Sequence, residues 1–206
     1  MSLSLWLGYL VACIVIAITP GPGAVASMST GVRHGYWSAL ALILGLQTAL
    51  VLQVAIVGLG LGALLATSEA AFETIKFIGA AYLVWLGIQK WRAPPVDIDA
   101  VTVPRRRHGL YLQGLLVNLT NPKAIIFVAA LVPQFVDPAS PQLIQYVVIA
   151  ATLCATDLMV MSGYALAGVR IGRWLHDPRA QRLQNRFFGT LFVAAGSMLA
   201  FSRQPH

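Results

Sequence analysis

The sequence predicts an all-α membrane protein of six transmembrane helices in two inverted three-helix repeats, with helices 1 and 4 broken at proline motifs. Three observations predict it. The chain of 206 residues is 58% hydrophobic and only 10% charged, where a soluble domain carries about 25% charged residues. Its apolar residues gather in six segments, about 5–28, 37–66, 72–89, 110–135, 143–168 and 187–202, and roughly 20 apolar residues cross a bilayer core as a helix. Eleven of its fourteen basic residues fall in alternate connections between those segments.

Segment 1 runs uncharged into Ile18-Thr19-Pro20-Gly21-Pro22-Gly23. Proline removes a backbone donor and glycine lets the chain turn and be approached closely, so a helix must stop here although its surroundings stay apolar. Ala24-Val25-Ala26 has the look of a leader cleavage site, but residues 1–7 lack the basic stretch that a leader carries. The segment is therefore expected to remain in the chain.

Segment 2 carries Gln47, Thr48 and Gln53. Gln47 is a candidate for a cavity contact, weighed against an interhelical hydrogen bond. GLGLG, residues 58–62, has no strand before it and no Lys-Ser/Thr after it, so it is not a phosphate loop. Gly58 and Gly62 instead form a G-x-x-x-G suited to close helix contact, within the monomer or in a homodimer. Segment 3 opens beside Glu73 and Lys76. Three residues apart, they share a helix face and are candidates for an ion pair or an outer gate. The stretch 93–104, APPVDIDAVTVP, has three prolines and no helical period. It divides the chain into a first repeat, 1–92, a cytoplasmic linker, 93–109, and a second repeat, 110–206.

Segment 4 is broken at Asn121-Pro122, within VNLTNPKAIIF. Asn121 reads as a helix cap and Pro122 as the first residue of a new half-helix. Gln113 and Asn118 precede the break, and Asn118 is a second cavity candidate. Segment 5 holds Asp157 near mid-membrane, with Thr152 and Thr156. A carboxylate at that depth costs about 2.5–3.5 kcal/mol and marks a functional site by default, as a proton carrier or cation holder. The rival reading is a neutral acid bonded to a neighbouring helix. Segment 6 is short enough to need a thinned bilayer. Cys13 and Cys154 lie within apolar segments and read as small packing residues. The four histidines have no metal-ligand spacing.

The formal charge of +7 could suggest nucleic acid, but position argues otherwise. Arg33 lies between segments 1 and 2. Lys90, Arg92 and Arg105 to Arg107 lie between 3 and 4, and Arg170, Arg173, Arg179, Arg182 and Arg186 between 5 and 6. This is the positive-inside pattern. It places those connections in the cytoplasm and both termini outside, and no nucleic-acid partner is expected.

The proline breaks of segments 1 and 4 hold matching positions in the two halves. Lys76-Phe77-Ile78-Gly79 and Arg186-Phe187-Phe188-Gly189 match further on. The second half is ten residues longer between its two marks, a surplus expected in the 5–6 loop. Broken helices at matching points of inverted halves point to a transporter's binding site. The bland alternative is a pair of proline kinks, which membrane helices tolerate. A half-helix starting at Gly23 or Asn121 aims free N–H groups at a cavity, and such ends attract carboxylates. Lys123 adds a full charge beside them, or forms a structural ion pair with Asp157. The substrate seat is thus expected at Pro20, Gly21, Pro22, Gly23, Gln47, Asn118, Asn121, Pro122 and Lys123, with Asp157 as proton or ammonium site.

Four strings carry a resemblance: the ITPGPG break, GLQTAL in segment 2, AFETIKFIGAAYLVWLGIQKWRA in segment 3 and NLTNPKAIIFVAALVPQF in segment 4. Together they make the chain similar to the LysE/RhtB family of amino-acid exporters, and most to its homoserine/homoserine lactone efflux branch. The resemblance covers nearly the whole chain and is weakest in segment 6. It implies a carrier in the bacterial inner membrane that expels homoserine, its lactone or threonine on the proton gradient. It also implies that Pro20, Gly21, Pro22, Asn121, Pro122 and Asp157 belong to the functional core. Its partners are the amino acid, protons and the lipid bilayer, and no cofactor is expected. Export of a basic or branched-chain amino acid is the nearest alternative. A metal-ion carrier would need more ligands than one deep acid and two separated cysteines, and a membrane enzyme a nucleophile with an adjacent base.

Overall fold

A computed structural model of the chain describes residues 1–61, 69–95, 103–104, 106–137, 140–175 and 177–201. The uncharged start forms α1 (Leu3–Ile18), capped by the Ser2 hydroxyl, which accepts from the Leu5 amide. It stops where Pro20 and Pro22 withhold their donors. Pro22 then opens α2 (Pro22–His34), bent 56° from α1. Proline suits a first helical turn because the donor it lacks has no partner there in any case. Gly35, at φ 79°, joins α2 to α3 (Tyr36–Ile56), which runs on into a π-helical turn, Val57–Leu61. α4 (Glu69–Arg92) completes the first half.

The second half begins with α5 (Arg107–Leu119), bent 53° from the helix that starts at Pro122. That helix is irregular: a short α6 (Pro122–Ile126), a π-helical turn, Phe127–Leu131, and a 3-10 turn, Val132–Phe135. α7 (Gln142–Leu175) and α8 (Pro178–Phe201) follow. Among the described residues there is no strand. Two spans there are long and apolar enough to cross a membrane, Tyr36–Gly60 and Gln142–Gly168, and each bent pair supplies another if taken as one span.

The structure corrects one expectation. No long loop joins segments 5 and 6. Arg170 and Arg173 lie within α7, and Arg179, Arg182 and Arg186 lie within α8. Arginine is a good helix former, so the basic residues extend both helices past their apolar cores. The ten-residue surplus belongs to this extension: α7 has 34 residues where α3 has 21. α8 has 24 residues, but its first nine carry Arg179, Arg182 and Arg186, so its apolar part stays as short as the sequence suggests. Gly62 and much of the 93–104 stretch lie outside the described residues, so the G-x-x-x-G contact rests there on Gly58 alone, against the Tyr146 ring.

Small residues bring the helices together. A Cβ on Gly45 of α3 would run into the Tyr111 carbonyl oxygen of α5, and one on Gly114 of α5 into the Leu42 carbonyl oxygen of α3. Gly87 of α4 and Gly189 of α8 are placed in the same reciprocal way: a Cβ on either would lie 2.6 or 2.7 Å from the other's carbonyl oxygen. Gly31 of α2 meets the Ala165 carbonyl of α7. Backbone approach of this kind is how helices associate in lipid, where burial of apolar surface gives no drive. Two buried clusters fill the interior: one around Tyr9, Leu50, Phe127 and Ile149, the other around Leu42, Leu46, Leu110 and Met161. The outside is apolar too, with Ile56, Ile144, Val147 and Met159 all exposed. Such a surface suits lipid rather than water.

Candidate substrate site

The last turn of α1 leaves its carbonyls without helical donors. Val15 O still has one, the Thr19 amide at 3.2 Å, and Thr19 Oγ1 donates to the same carbonyl at 2.7 Å. Side chains from elsewhere hold the others. Lys123 Nζ donates to Ile16 O at 2.9 Å and to Thr19 O at 2.8 Å. The Tyr164 hydroxyl donates to Ile18 O at 2.6 Å. Lys90 Nζ donates to Pro20 O at 2.6 Å. The carbonyl end of a helix is its negative pole, so two ammonium groups there are electrostatically favoured.

The second break is built alike. Thr120 Oγ1 donates to Leu116 O at 2.7 Å, as Thr19 does in the first. Asn121 caps the new helix, its Oδ1 accepting from the Lys123 amide at 3.1 Å. Its Nδ2 donates to Asn118 Oδ1 at 3.3 Å, and Asn118 Nδ2 donates to Leu46 O at 3.0 Å. Gln53 Nε2 donates to the Asn118 carbonyl at 2.9 Å, so α3 grips the end of α5 twice.

Between the breaks lies a cavity of about 30 Å³, room for about two water molecules. Gly23, Asn118, Asn121, Lys123 and Asp157 line it, with Leu46, Phe127 and Leu153 as apolar walls. Asp157 Oδ2 accepts from Gln47 Nε2 at 2.7 Å, so Gln47 meets the cavity through the carboxylate. Gln47 Oε1 is buried without a hydrogen-bond partner among the described residues. The arrangement joins one anion, one cation and several amides, a set matched to an ammonium and a carboxylate on one small molecule.

The chain matches the LysE type translocator family over residues 14–203. It belongs to that family. The homoserine/homoserine lactone efflux protein of Salmonella typhimurium is 44% identical to this LysE-family chain, over 98% of the chain and 99% of the relative. An uncharacterized membrane protein of Vibrio cholerae is 41% identical over 98% of the chain and 100% of the relative. A leucine efflux protein of Klebsiella pneumoniae is 29% identical over 95% and 94%. No solved structure matches the chain.

In this LysE translocator the residues expected at the site separate into groups. Gly23, Asn118, Asn121, Lys123 and Asp157 meet at one cavity. Pro20, Gly21 and Pro22 line a second, larger cavity described below. Pro122 is exposed, and the side chains of Glu73 and Lys76 lie outside the described residues. Lys123 faces the carbonyl end of α1, whereas the sequence placed it beside free N–H groups. Sequence reasoning missed Lys90 and Tyr164. Lys90 was absorbed into the positive-inside pattern, and a tyrosine at the end of an apolar segment reads as an interface anchor.

Proposed function

We propose that the chain is an inner-membrane carrier, not an enzyme, that exports homoserine and homoserine lactone, with threonine as a further substrate, by alternating access on the proton gradient. The observation that carries this is the cavity between two broken helices, which Asp157 and Lys123 both line. The 44% identity to a homoserine/homoserine lactone efflux protein supports the substrate class. The relative named for leucine efflux, at 29%, is the reason to keep a branched-chain amino acid in the assay.

Six spans follow if each bent pair is one span and α4 and α8 each cross. Each has 24 residues, and their apolar stretches, about 72–89 and 187–201, would cross the bilayer core, the second with some thinning. The inverted repeat, 1–92 against 110–206, is supported by bends of 56° and 53° at the two breaks and by the matching Thr19 and Thr120 back-bonds. The positive-inside pattern puts both termini in the periplasm. A homodimer, and an outer gate at Glu73 and Lys76, are further parts of this reading.

In it, the amino acid's ammonium goes to Asp157 and its carboxylate to Lys123 and the start of α6. The substrate must displace Ile16 O and Thr19 O as partners of Lys123, which couples binding to movement of α1 against α6. A zwitterion bears no net charge, so exchange for one inward proton draws about 2.3 kcal/mol per 100 mV of membrane potential. The test is growth of overexpressing cells challenged with homoserine, its lactone, threonine, lysine or leucine, followed by efflux from proteoliposomes. Selective resistance to homoserine and its lactone is expected. Resistance to lysine or leucine instead would replace the substrate, and efflux indifferent to an imposed proton gradient would remove the coupling.

A further inference from the structure

The first break has a second face. Pro20, Gly21 and Pro22 line a cavity of about 400 Å³, with Lys90, Tyr164 and Asn185. Ala24 lines this cavity and the smaller one, so the start of α2 is a wall common to both. The larger one exceeds the smaller more than tenfold and has room for an amino acid. Its remaining walls are mixed: the amides Gln181 and Gln184, and apolar Val25, Met28 and Val117.

Its position follows from the chain. Lys90 sits in the last turn of α4, and Asn185 two turns into α8. Asn185 Nδ2 donates to Ala93 O at 3.4 Å and Trp91 Nε1 donates to Arg186 O at 2.8 Å, which ties these two basic ends together. They belong to the cytoplasmic side of the positive-inside pattern. α2 continues from the break toward that side for 13 residues, about 20 Å.

Lys90 is the cavity's cation. An ammonium has three donors. Pro20 O takes one at 2.6 Å, and Asn185 Oδ1 lies at 3.5 Å, the limit of hydrogen-bond length. The group therefore keeps donor capacity toward the cavity while it holds the break. An incoming carboxylate would outbid a neutral carbonyl, since hydrogen bonds between ionised partners are roughly twice as strong.

We propose that this cavity is a cytoplasmic entry site of the carrier, in which Lys90 binds the carboxylate of an amino acid before the break opens to the inner cavity. The proposal rests on the export reading above and adds a second binding step to it. Binding at Lys90 draws its ammonium from Pro20 O, so the entry site's occupancy loosens the wall that separates it from Asp157.

Homoserine and its lactone separate this role from a structural one. Homoserine has a free carboxylate, and in the lactone that group is an internal ester without charge. Transport is measured from the cytoplasmic face in inside-out vesicles for wild type, Lys90→Gln and Lys90→Arg. Lys90→Gln is expected to raise KM for homoserine about tenfold or more, the scale of one lost charge-assisted hydrogen bond, and KM for the lactone at most about twofold. Lys90→Arg keeps the charge and is expected to restore most of the homoserine KM. Equal losses for both substrates in Lys90→Gln would reduce Lys90 to a prop for Pro20 and overturn the proposal. If Lys90→Gln does not accumulate in the membrane, Lys90→Arg decides alone: a homoserine KM that moves more than the lactone KM supports carboxylate binding, and KM values that move in the same proportion overturn it. A wild type that moves neither compound would sink the export reading itself, and this inference with it.

Discussion

The Lys123 ammonium donates to the Thr19 carbonyl at 2.8 Å, so the second broken helix is hydrogen-bonded to the first. The residues are 104 positions apart in sequence. One proline motif supplies the exposed acceptor, and the other supplies the donor.

Lys123→Met should therefore injure both structure and transport. It strips the donor from Ile16 O and Thr19 O, and a buried carbonyl left bare costs about 1–3 kcal/mol. The expected outcome is a thermal midpoint lowered by several degrees in detergent and efflux near background. An unchanged midpoint would mean that water or another side chain takes over both carbonyls.

Asp157→Asn should separate folding from coupling. The amide can still meet Gln47, whose own side chain can turn to offer its oxygen. A mid-membrane carboxylate costs about 2.5–3.5 kcal/mol to place, so stability should hold or rise. Proton-driven efflux from proteoliposomes should fall by about two orders of magnitude, an expectation that follows from an intramembrane acid serving as proton relay. Export at the normal rate would remove Asp157 from the mechanism.

Gly114→Ala should fail where Gly163→Ala succeeds. A methyl on Gly114 meets the Leu42 carbonyl and the Leu46 amide of α3, whereas nothing lies within 4 Å of one on Gly163. Overpacking costs about 1–3 kcal/mol even where side chains can give way, and backbone gives way less. Yield of folded protein by fluorescence size-exclusion should drop for the first and stay at wild type for the second.

Asn121→Ala should remove a cap worth about 1 kcal/mol. Asn121→Ser should recover most of it, because its hydroxyl can accept from the Lys123 amide as Asn121 Oδ1 does. Paired thermal midpoints would settle the comparison, and equal midpoints for alanine and serine would contradict the capping role.

The breaks were legible because proline and glycine act locally: no apolar helix carries Pro20-Gly21-Pro22 without stopping. Asp157 was legible because an acid in an apolar segment has few innocent explanations. The direction of Lys123 was not. Its sequence position beside Asn121 suggested the N–H groups of its own half-helix, and only the packing of α1 against the second half brings the Ile16 and Thr19 carbonyls within reach. Lys90 was hidden by its company, since a lysine beside Arg92 at a helix end looks like one more topology signal. The connection between α7 and α8 was misjudged as a long loop because apolar counts stop at the first arginine and helices do not.

A cavity that admits about two waters admits no amino acid. On the export reading proposed above, the protein in this form is an insulator. A carrier charged with emptying the cell of a metabolite must not become a hole through which the same metabolite drifts back, or through which protons run down the gradient for nothing. The knot of Lys123, Tyr164 and Lys90 on four neighbouring carbonyls keeps the idle molecule shut at its middle, and makes leakage wait on the same movement that transport requires.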